Sequence, residues 1–167
     1  MIVVSDTTPL ITLLKANKLH ILHRMFGEVL VPEAVFSELT SNTTFQDEAD
    51  LIRNSDYIRV VSVRDKSQVS FLQRATGLDL GESEAIIYAD ESKADLLLMD
   101  EVLGRKIAQN MKLPITGSVG ILIRAFQLGI ISSEDAEDAF EKIQKSNRHI
   151  SDTLINKALE IIHNTDQ

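Results

Sequence analysis

The sequence contains no cysteine and no tryptophan, only three prolines, and few aromatic residues, which make up 5% of the chain. Without cysteine there is no disulfide framework, no thiolate metal site and no cysteine nucleophile. No apolar run approaches the roughly 18 residues that a membrane-spanning helix requires, and no signal sequence is visible at the start. These absences lead us to expect a cytoplasmic protein that makes no contact with a membrane.

Positive charge is also scarce. The chain has 17 lysines and arginines against 25 acidic residues, which leaves a formal net charge of −8. Broad, non-specific binding of nucleic acid needs a basic surface, and this composition argues against it. Two interpretations remain open: some of the acids bind a metal ion that offsets their charge, or the partner is a basic protein segment.

Strand-like and helix-like segments alternate along most of the chain. Its 167 residues, 44% of them hydrophobic, are enough for one domain with a substantial core. The alternation predicts an α/β/α fold in which helices cover both faces of a mainly parallel sheet of four to five strands. We assign residues 1–131 to this domain. Residues 132–167 are predicted to form a helical extension on the same domain, with a contact to another subunit as the alternative.

The start of the chain determines where a functional site is expected. Residues 2–4 form a short apolar run typical of a buried strand. Thr8 and Pro9 suit the N-cap and the first position of a following helix. Asp6 is therefore predicted at the carboxyl end of a strand, which is the edge where open parallel sheets bind ligands.

Other acids occupy comparable positions. Asp100 follows the apolar run 96–99, and Glu38 lies in the helix after the second predicted strand. Glu82 and Glu84 are predicted in the first turn of a helix. Carboxylates gathered at one edge repel one another, and a divalent cation such as Mg²⁺ or Mn²⁺, which prefers oxygen ligands, removes that conflict. The spacing leaves open that each acid is simply solvated or favours the start of its helix.

Several residues close to these acids are candidates for contact with a substrate. Arg105 and Lys106 lie on the helix after Asp100, Thr7 follows the first strand, and Thr116 follows the last one. The alternatives are an exposed basic face for the cations and helix capping for the hydroxyls. The four histidines are predicted away from the strand ends and receive no role. They are His20, His23, His149 and His163.

Five blocks of the sequence resemble the PIN domain family, and they occur in the order that the family has. The blocks are SDTTPL, FGEVLVPEAVFSEL, LDLGESEAIIYA, ADLLLMDEVLGRKIA and LPITGSVGILIRAFQLGII. More narrowly, they resemble a bacterial and archaeal branch of PIN-like proteins related to VapC toxins. The resemblance covers the chain to about residue 131, and the tail ISDTLINKALEII is similar to the end of that branch.

The resemblance implies a metal-dependent nuclease that cleaves RNA, with Mg²⁺ or Mn²⁺ as cofactor. It also implies the toxin half of a type II toxin–antitoxin pair, with a small antitoxin protein as partner and a homodimer as the assembly. Asp6, Glu38 and Asp100 match three acids of the family pattern. These residues, together with a fourth acid, are expected to bind the metal and to carry the hydrolysis.

The identity of the fourth acid is ambiguous in the sequence. Family members often carry Asp at this position, whereas this chain has Glu-Ser-Glu. The match favours Glu82, with Glu84 as a further possible ligand. Glu101 lies where some members carry another acid, so it is also a possible metal ligand.

Two other functions compete with this hypothesis. A non-catalytic binding protein on a PIN scaffold would suit the net charge of −8 and the Glu in place of Asp. A receiver-type phosphoacceptor domain also uses an acid cluster at a sheet edge. That reading is weaker, because the third predicted strand ends at Val63 without an acid pocket and Thr116 follows the fifth, where a receiver usually carries Lys.

Overall fold

The computed structural model describes residues 1–41, 43–146 and 150–165, which form five strands and ten α-helices. The strands are β1 (Val3–Ser5), β2 (Val29–Pro32), β3 (Ile58–Val61), β4 (Leu96–Leu98) and β5 (Ile115–Thr116). The first five helices are α1 (Thr7–Lys15), α2 (Ile21–Phe26), α3 (Glu33–Ser41), α4 (Gln46–Arg53) and α5 (Lys66–Thr76). The others are α6 (Leu80–Ser92), α7 (Val102–Asn110), α8 (Ser118–Gln127), α9 (Ser133–Lys145) and α10 (Asp152–Thr165).

All strand pairs are parallel, and the strand order across the sheet is β3-β2-β1-β4-β5. The chain steps outward from β1 through β2 to β3 and then returns to place β4 on the other side of β1. In such a sheet the crevice outside the carboxyl ends of β1 and β4 is the topological switch point, where ligands bind. The order therefore puts the ends of β1 and β4 next to each other.

Helices cover both faces of the sheet, which confirms the predicted α/β/α architecture. Successive side chains of a strand point to opposite faces, so Val3 and Leu98 join the larger core, and Val4 and Leu97 join a smaller one. The larger core is filled from α1, α2, α3 and α8 to α10, and the smaller one from α6 and α7. β5, which Pro114 precedes, is an edge strand, as predicted.

Two helices begin earlier than the sequence predicted. Helix α1 begins at Thr7, with Asp6 as its N-cap residue, and Pro9 is its third residue, where the missing N–H has no intrahelical partner to lose. Helix α6 begins at Leu80 because Asp79 caps it, so Gly81 lies inside the helix. The prediction that Glu84 lies in the first turn is therefore wrong, since only Glu82 is there.

The two C-terminal helices pack on the same domain. Helix α9 packs against α1 and α8, and α10 packs against α8 and α9. Phe140 and Ile143 of α9 and Ile155 of α10 are fully buried in the larger core with the side chains of α1. No helix in the described part of the chain is long and apolar enough to cross a membrane.

Candidate metal centre

The carboxyl ends of β1 and β4 meet at one edge of the sheet. Ser5 pairs with Leu98, and the backbone N–H of Asp6 donates to the Leu98 carbonyl oxygen at 3.0 Å. Asp100 follows β4 by two residues. Asp6 and Asp100 thus emerge side by side from adjacent strands, at the switch point of the sheet.

An acidic cleft of about 320 Å³ opens at this edge. We use the name carboxylate cleft for the pocket lined by Asp6, Glu38, Asp79, Glu82 and Glu101, together with Thr7 and Thr8. Its five acids come from four separate parts of the chain: the end of β1, helix α3, the start of α6 and the start of α7. The cleft has no lysine, arginine or histidine in its lining.

Short local hydrogen bonds position Glu38, Asp79 and Glu82 within the cleft. The Thr7 hydroxyl donates to Oε2 of Glu38 at 2.8 Å, which ties α3 to the start of α1. At the start of α6, the backbone N–H of Glu82 donates to Oδ1 of Asp79 at 2.8 Å, and that of Asp79 donates to Oε2 of Glu82 at 3.0 Å. This reciprocal pair is a capping box. Each carboxylate still has a second oxygen for another partner.

Asp79 is a cleft residue that the sequence analysis missed. From the sequence alone, Glu82 and Glu84 are predicted at the start of helix α6, and Asp79 receives no role. The signal was present in the spacing, because an Asp followed three residues later by Glu, just before an apolar helical run, is typical of a capping box. That pattern predicts both the start of α6 and the proximity of the two carboxylates.

Asp6 is the most deeply buried acid of the cleft, with 2% of its surface exposed. Burial raises its pKa from the ordinary 3.8 to about 7, and the backbone N–H of Thr7 lowers it only in part. The negative charges of Glu82, Asp79 and Glu38 are smaller contributions to this same upward shift. Asp6 is therefore held near the midpoint of its titration at neutral pH, which is an unfavourable state that a nearby cation would relieve.

The pKa of Glu82 is shifted in the same direction. Its largest cause is again burial, which the hydrogen bond from the Asp79 backbone opposes. The charges of Asp79, Glu101 and Glu38 add to the upward shift. Repulsion among the carboxylates of this cleft thus contributes to the raised pKa values of both Asp6 and Glu82.

Asp100 lies beside the carboxylate cleft rather than in its lining. Its Oδ1 accepts a hydrogen bond of 2.7 Å from the backbone N–H of Ser118, the first residue of α8. Burial raises the pKa of Asp100, while the bonds from Ser118 and the charge of Arg105 lower it. The other oxygen, Oδ2, is buried and has no hydrogen-bond partner in the described part of the chain.

Glu84 lies outside the carboxylate cleft, although the sequence left it open as a ligand. It is 4% exposed, and its Oε2 accepts from the Ala34 backbone N–H at 2.9 Å, at the start of α3. Its Oε1 pairs with Lys66 at 3.0 Å. Glu84 therefore anchors α3, the helix that carries Glu38, while Glu82, two residues earlier, lines the cleft.

The candidate substrate residues divide between two neighbouring hollows. Thr7 lines the carboxylate cleft, whereas Arg105 and Thr116 line an adjoining groove together with Asp100. Of the histidines, His20, His23 and His163 are absent from the lining of both hollows, and His149 lies outside the described residues.

The donor set fits a hard divalent cation in its chemistry. All its charged groups are carboxylates, three of them (Asp6, Glu82 and Asp100) have raised pKa values, and Oδ2 of Asp100 is buried without a partner in the described part of the chain. In the described ranges, no three Asp, Glu or His side chains are already grouped closely enough to hold an ion. Binding therefore requires side-chain movement, which carboxylates on helix starts and strand ends can make.

A comparison with protein families finds a match that covers almost the whole chain. The family model DUF3368, a PIN domain, matches residues 2–164. The match includes both the sheet and the two C-terminal helices. No curated protein matches the chain significantly.

Proposed function

We propose, from the premise that this chain belongs to the PIN domain family and has its nuclease-type fold, that it is a divalent-metal-dependent ribonuclease. The observation that carries this proposal is the carboxylate cleft at the switch point of the sheet. Burial and repulsion there raise the pKa values of Asp6 and Glu82, and the lining of the cleft includes no basic residue. Carboxylates that raise one another's pKa values favour the binding of a divalent cation, because the cation offsets their negative charge.

Asp6, Glu38, Glu82 and Asp100 would hold Mg²⁺ or Mn²⁺, with Asp79 and Glu101 as additional oxygen donors. When bound, such an ion lowers the pKa of a water molecule and offsets negative charge on a phosphodiester. The chain's own residues prepare the site. Their positions are supported by three contacts: Thr7 with Glu38, Asp79 with Glu82, and Ser118 with Asp100.

Substitution of individual acids tests the proposal. Asp6→Asn and Glu82→Gln keep the shape of each side chain and remove its charge, so we expect RNA cleavage in Mn²⁺ or Mg²⁺ to fall about 100-fold or more. Glu160→Gln is the matched control, because Glu160 is an exposed acid of α10. Cleavage by Asp6→Asn at the wild-type rate would overturn the proposal. Calorimetry without saturable Mn²⁺ binding would instead favour a non-catalytic scaffold.

Glu84→Gln separates the two acids that the sequence could not distinguish. Because Glu84 contacts Ala34 and Lys66 rather than the cleft, we expect a lower thermal stability and a cleavage rate within a few-fold of wild type. A loss as large as that of Glu82→Gln would identify Glu84 as a metal ligand.

The proposal extends to a toxin role, with an antitoxin protein as partner, on the basis of the resemblance to the VapC-related branch. Expression in bacteria is then expected to arrest growth, and Asp6→Asn to abolish the arrest. Growth arrest by the inactive variant would contradict a toxin that acts through RNA cleavage. The expected homodimer stays a prediction, which sedimentation velocity measures directly.

A further inference from the structure

A second hollow adjoins the carboxylate cleft, and the two share Thr8 and Glu101. We call it the side groove. Its volume of about 520 Å³ lies within the range of roughly 300–1,000 Å³ that is common for small-molecule sites. The hydroxyl of Thr8 is 3.5 Å from Oε1 of Glu101, so these residues form the border between the two hollows.

The side groove combines an apolar wall with a few polar groups. Val119 and Ile123 of α8 and Leu154 of α10 supply the apolar wall. Arg105 supplies a guanidinium group with five N–H donors, one of which bonds the Met99 carbonyl oxygen at 2.8 Å. An apolar hollow with a small number of placed polar groups is the usual form of a site for a small organic ligand.

Thr12 gives an independent sign that the side groove accepts a ligand. Thr12 borders the groove, the residue is 0% exposed, and its Oγ1 has no hydrogen-bond partner in the described part of the chain. A buried hydroxyl without a partner costs stability, and a valine would fill the same volume without that cost. A polar group of a ligand in the groove would supply the partner that Oγ1 lacks.

We propose that the side groove binds one base of the RNA strand next to the cleaved phosphate, and so gives the enzyme a preference for that base. This proposal rests on the proposed ribonuclease function. The apolar wall packs against the face of the base, and Thr12 and Arg105 bond its polar edge. Unpaired bases in single-stranded RNA are commonly recognised by packing and by bonds to their edges.

Two other hollows fit this role less well. A pocket of about 200 Å³ beside Glu38 is below the usual ligand range, and the paired side chains of Lys15 and Glu48 line it. An apolar groove lined by Met25, Phe26 and Leu128 lies outside the carboxylate cleft, and none of its lining residues has a buried polar atom without a partner.

Methyl NMR with the four nucleosides tests occupancy of the side groove without relying on catalysis. Adenosine, cytidine, guanosine and uridine carry no phosphate, so the acidic cleft does not repel them. We expect saturable shifts at the methyl groups of Thr12, Ile123 and Leu154 with at least one nucleoside, and no shifts at Leu128. The proposal would be overturned if none of the four nucleosides changed the chemical shifts of these groove methyl groups.

Two variants then test specificity on an RNA library of random sequence. Leu154 is 47% exposed, so Leu154→Trp fills the groove from its rim without disturbing the core, and Leu128→Trp is the matched control at 51% exposure. We expect the base preference next to the cut to weaken about tenfold in Leu154→Trp and in Thr12→Val, and to persist in Leu128→Trp. An unchanged preference in both groove variants would overturn the proposal.

The two proposals fail in different ways. If the wild-type protein cleaves no RNA although the groove methyl groups respond to nucleosides, the ribonuclease function is wrong and the binding site stands. If RNA is cleaved in a manner that requires Asp6 but the groove does not respond, the ribonuclease function stands and the base site is wrong.

Discussion

A carboxylic acid with little access to water resists ionisation, and Asp6 shows the consequence for stability. Its pKa is about 7 in the folded protein, against 3.8 as the ordinary value that describes the unfolded chain. Well below pH 3.8 the acid is protonated in both states and has no effect. Between pH 3.8 and about 7 the unfolded chain loses this proton while the folded protein keeps it, so the free energy of unfolding falls by up to about 4 kcal/mol and then stays level above pH 7.

The first prediction concerns this penalty. In the metal-free protein with EDTA, we expect the thermal stability of the wild type to fall between pH 4 and pH 7 and then to level off, because over this range Asp6 ionises in the unfolded chain and stays largely protonated in the folded protein. Asp6→Asn has no such group, so it should be the more stable protein at pH 8, by a few kcal/mol, while the two proteins converge near pH 4. Thermal denaturation followed by circular dichroism measures the difference.

Added Mn²⁺ provides the complementary measurement at pH 8. A metal at 100 times its dissociation constant stabilises the folded state by about 2.7 kcal/mol, so the melting temperature of the wild type should rise. Asp6→Asn should show little or no rise. Equal metal-induced stabilisation of both proteins would mean that Asp6 is not a ligand.

At the scale of elements, the start of helix α6 links stability to the candidate site. The capping box of Asp79 and Glu82 satisfies backbone N–H groups that have no partner within the helix, and it also holds two carboxylates in the cleft. Helix α9 begins with a second capping box, made by Ser132 and Asp135, which lies outside the cleft. The cap at Ser132 therefore serves as a control for the cap at Asp79, because it lies on a helix outside the cleft.

The second prediction compares these two caps. Asp79→Ala and Ser132→Ala each remove a capping side chain, so each should lower the free energy of unfolding by about 1 kcal/mol. Only Asp79→Ala should reduce RNA cleavage, by about 10-fold or more, because it removes a carboxylate of the cleft that also caps the helix carrying Glu82. Urea denaturation and initial cleavage rates are the measurements. A similar loss of cleavage in both variants would attribute the effect to stability alone.

At the scale of the whole molecule, the C-terminal helices and the sheet share one core. Phe140 of α9 is 0% exposed and packs in the same cluster as the strand residues Val3 and Leu98. Because the sheet has a core on each face and its strands belong to both, we expect the chain to unfold in a single cooperative step.

The third prediction tests this cooperativity. Phe140→Ala should lower the free energy of unfolding by about 3–5 kcal/mol. The chain has two tyrosines, of which Tyr57 packs against the larger core and Tyr88 against the cores on the α6 side. When Phe140→Ala is made in a Tyr57→Phe background, the unfolding transition followed by Tyr88 fluorescence should therefore have the same lowered midpoint as the transition followed by circular dichroism. An unchanged Tyr88 midpoint would indicate that α9 and α10 unfold separately.

The amino-acid sequence by itself determined the alternation of strands and helices and the edge at which Asp6 and Asp100 emerge. Those features depend on local hydrophobic periodicity and on where each strand ends, both of which are visible along the chain. It also carried the capping box of Asp79 and Glu82 as a local pattern.

Only the tertiary structure decided which acids share a cleft. Glu82 and Glu84 are two residues apart, and the packing of α6 against α3 directs the first toward Asp6 and the second toward Ala34 and Lys66. The same holds for Asp100, whose carboxylate bonds the start of α8. Side-chain direction depends on contacts between elements that are far apart in the chain, and no local pattern encodes it.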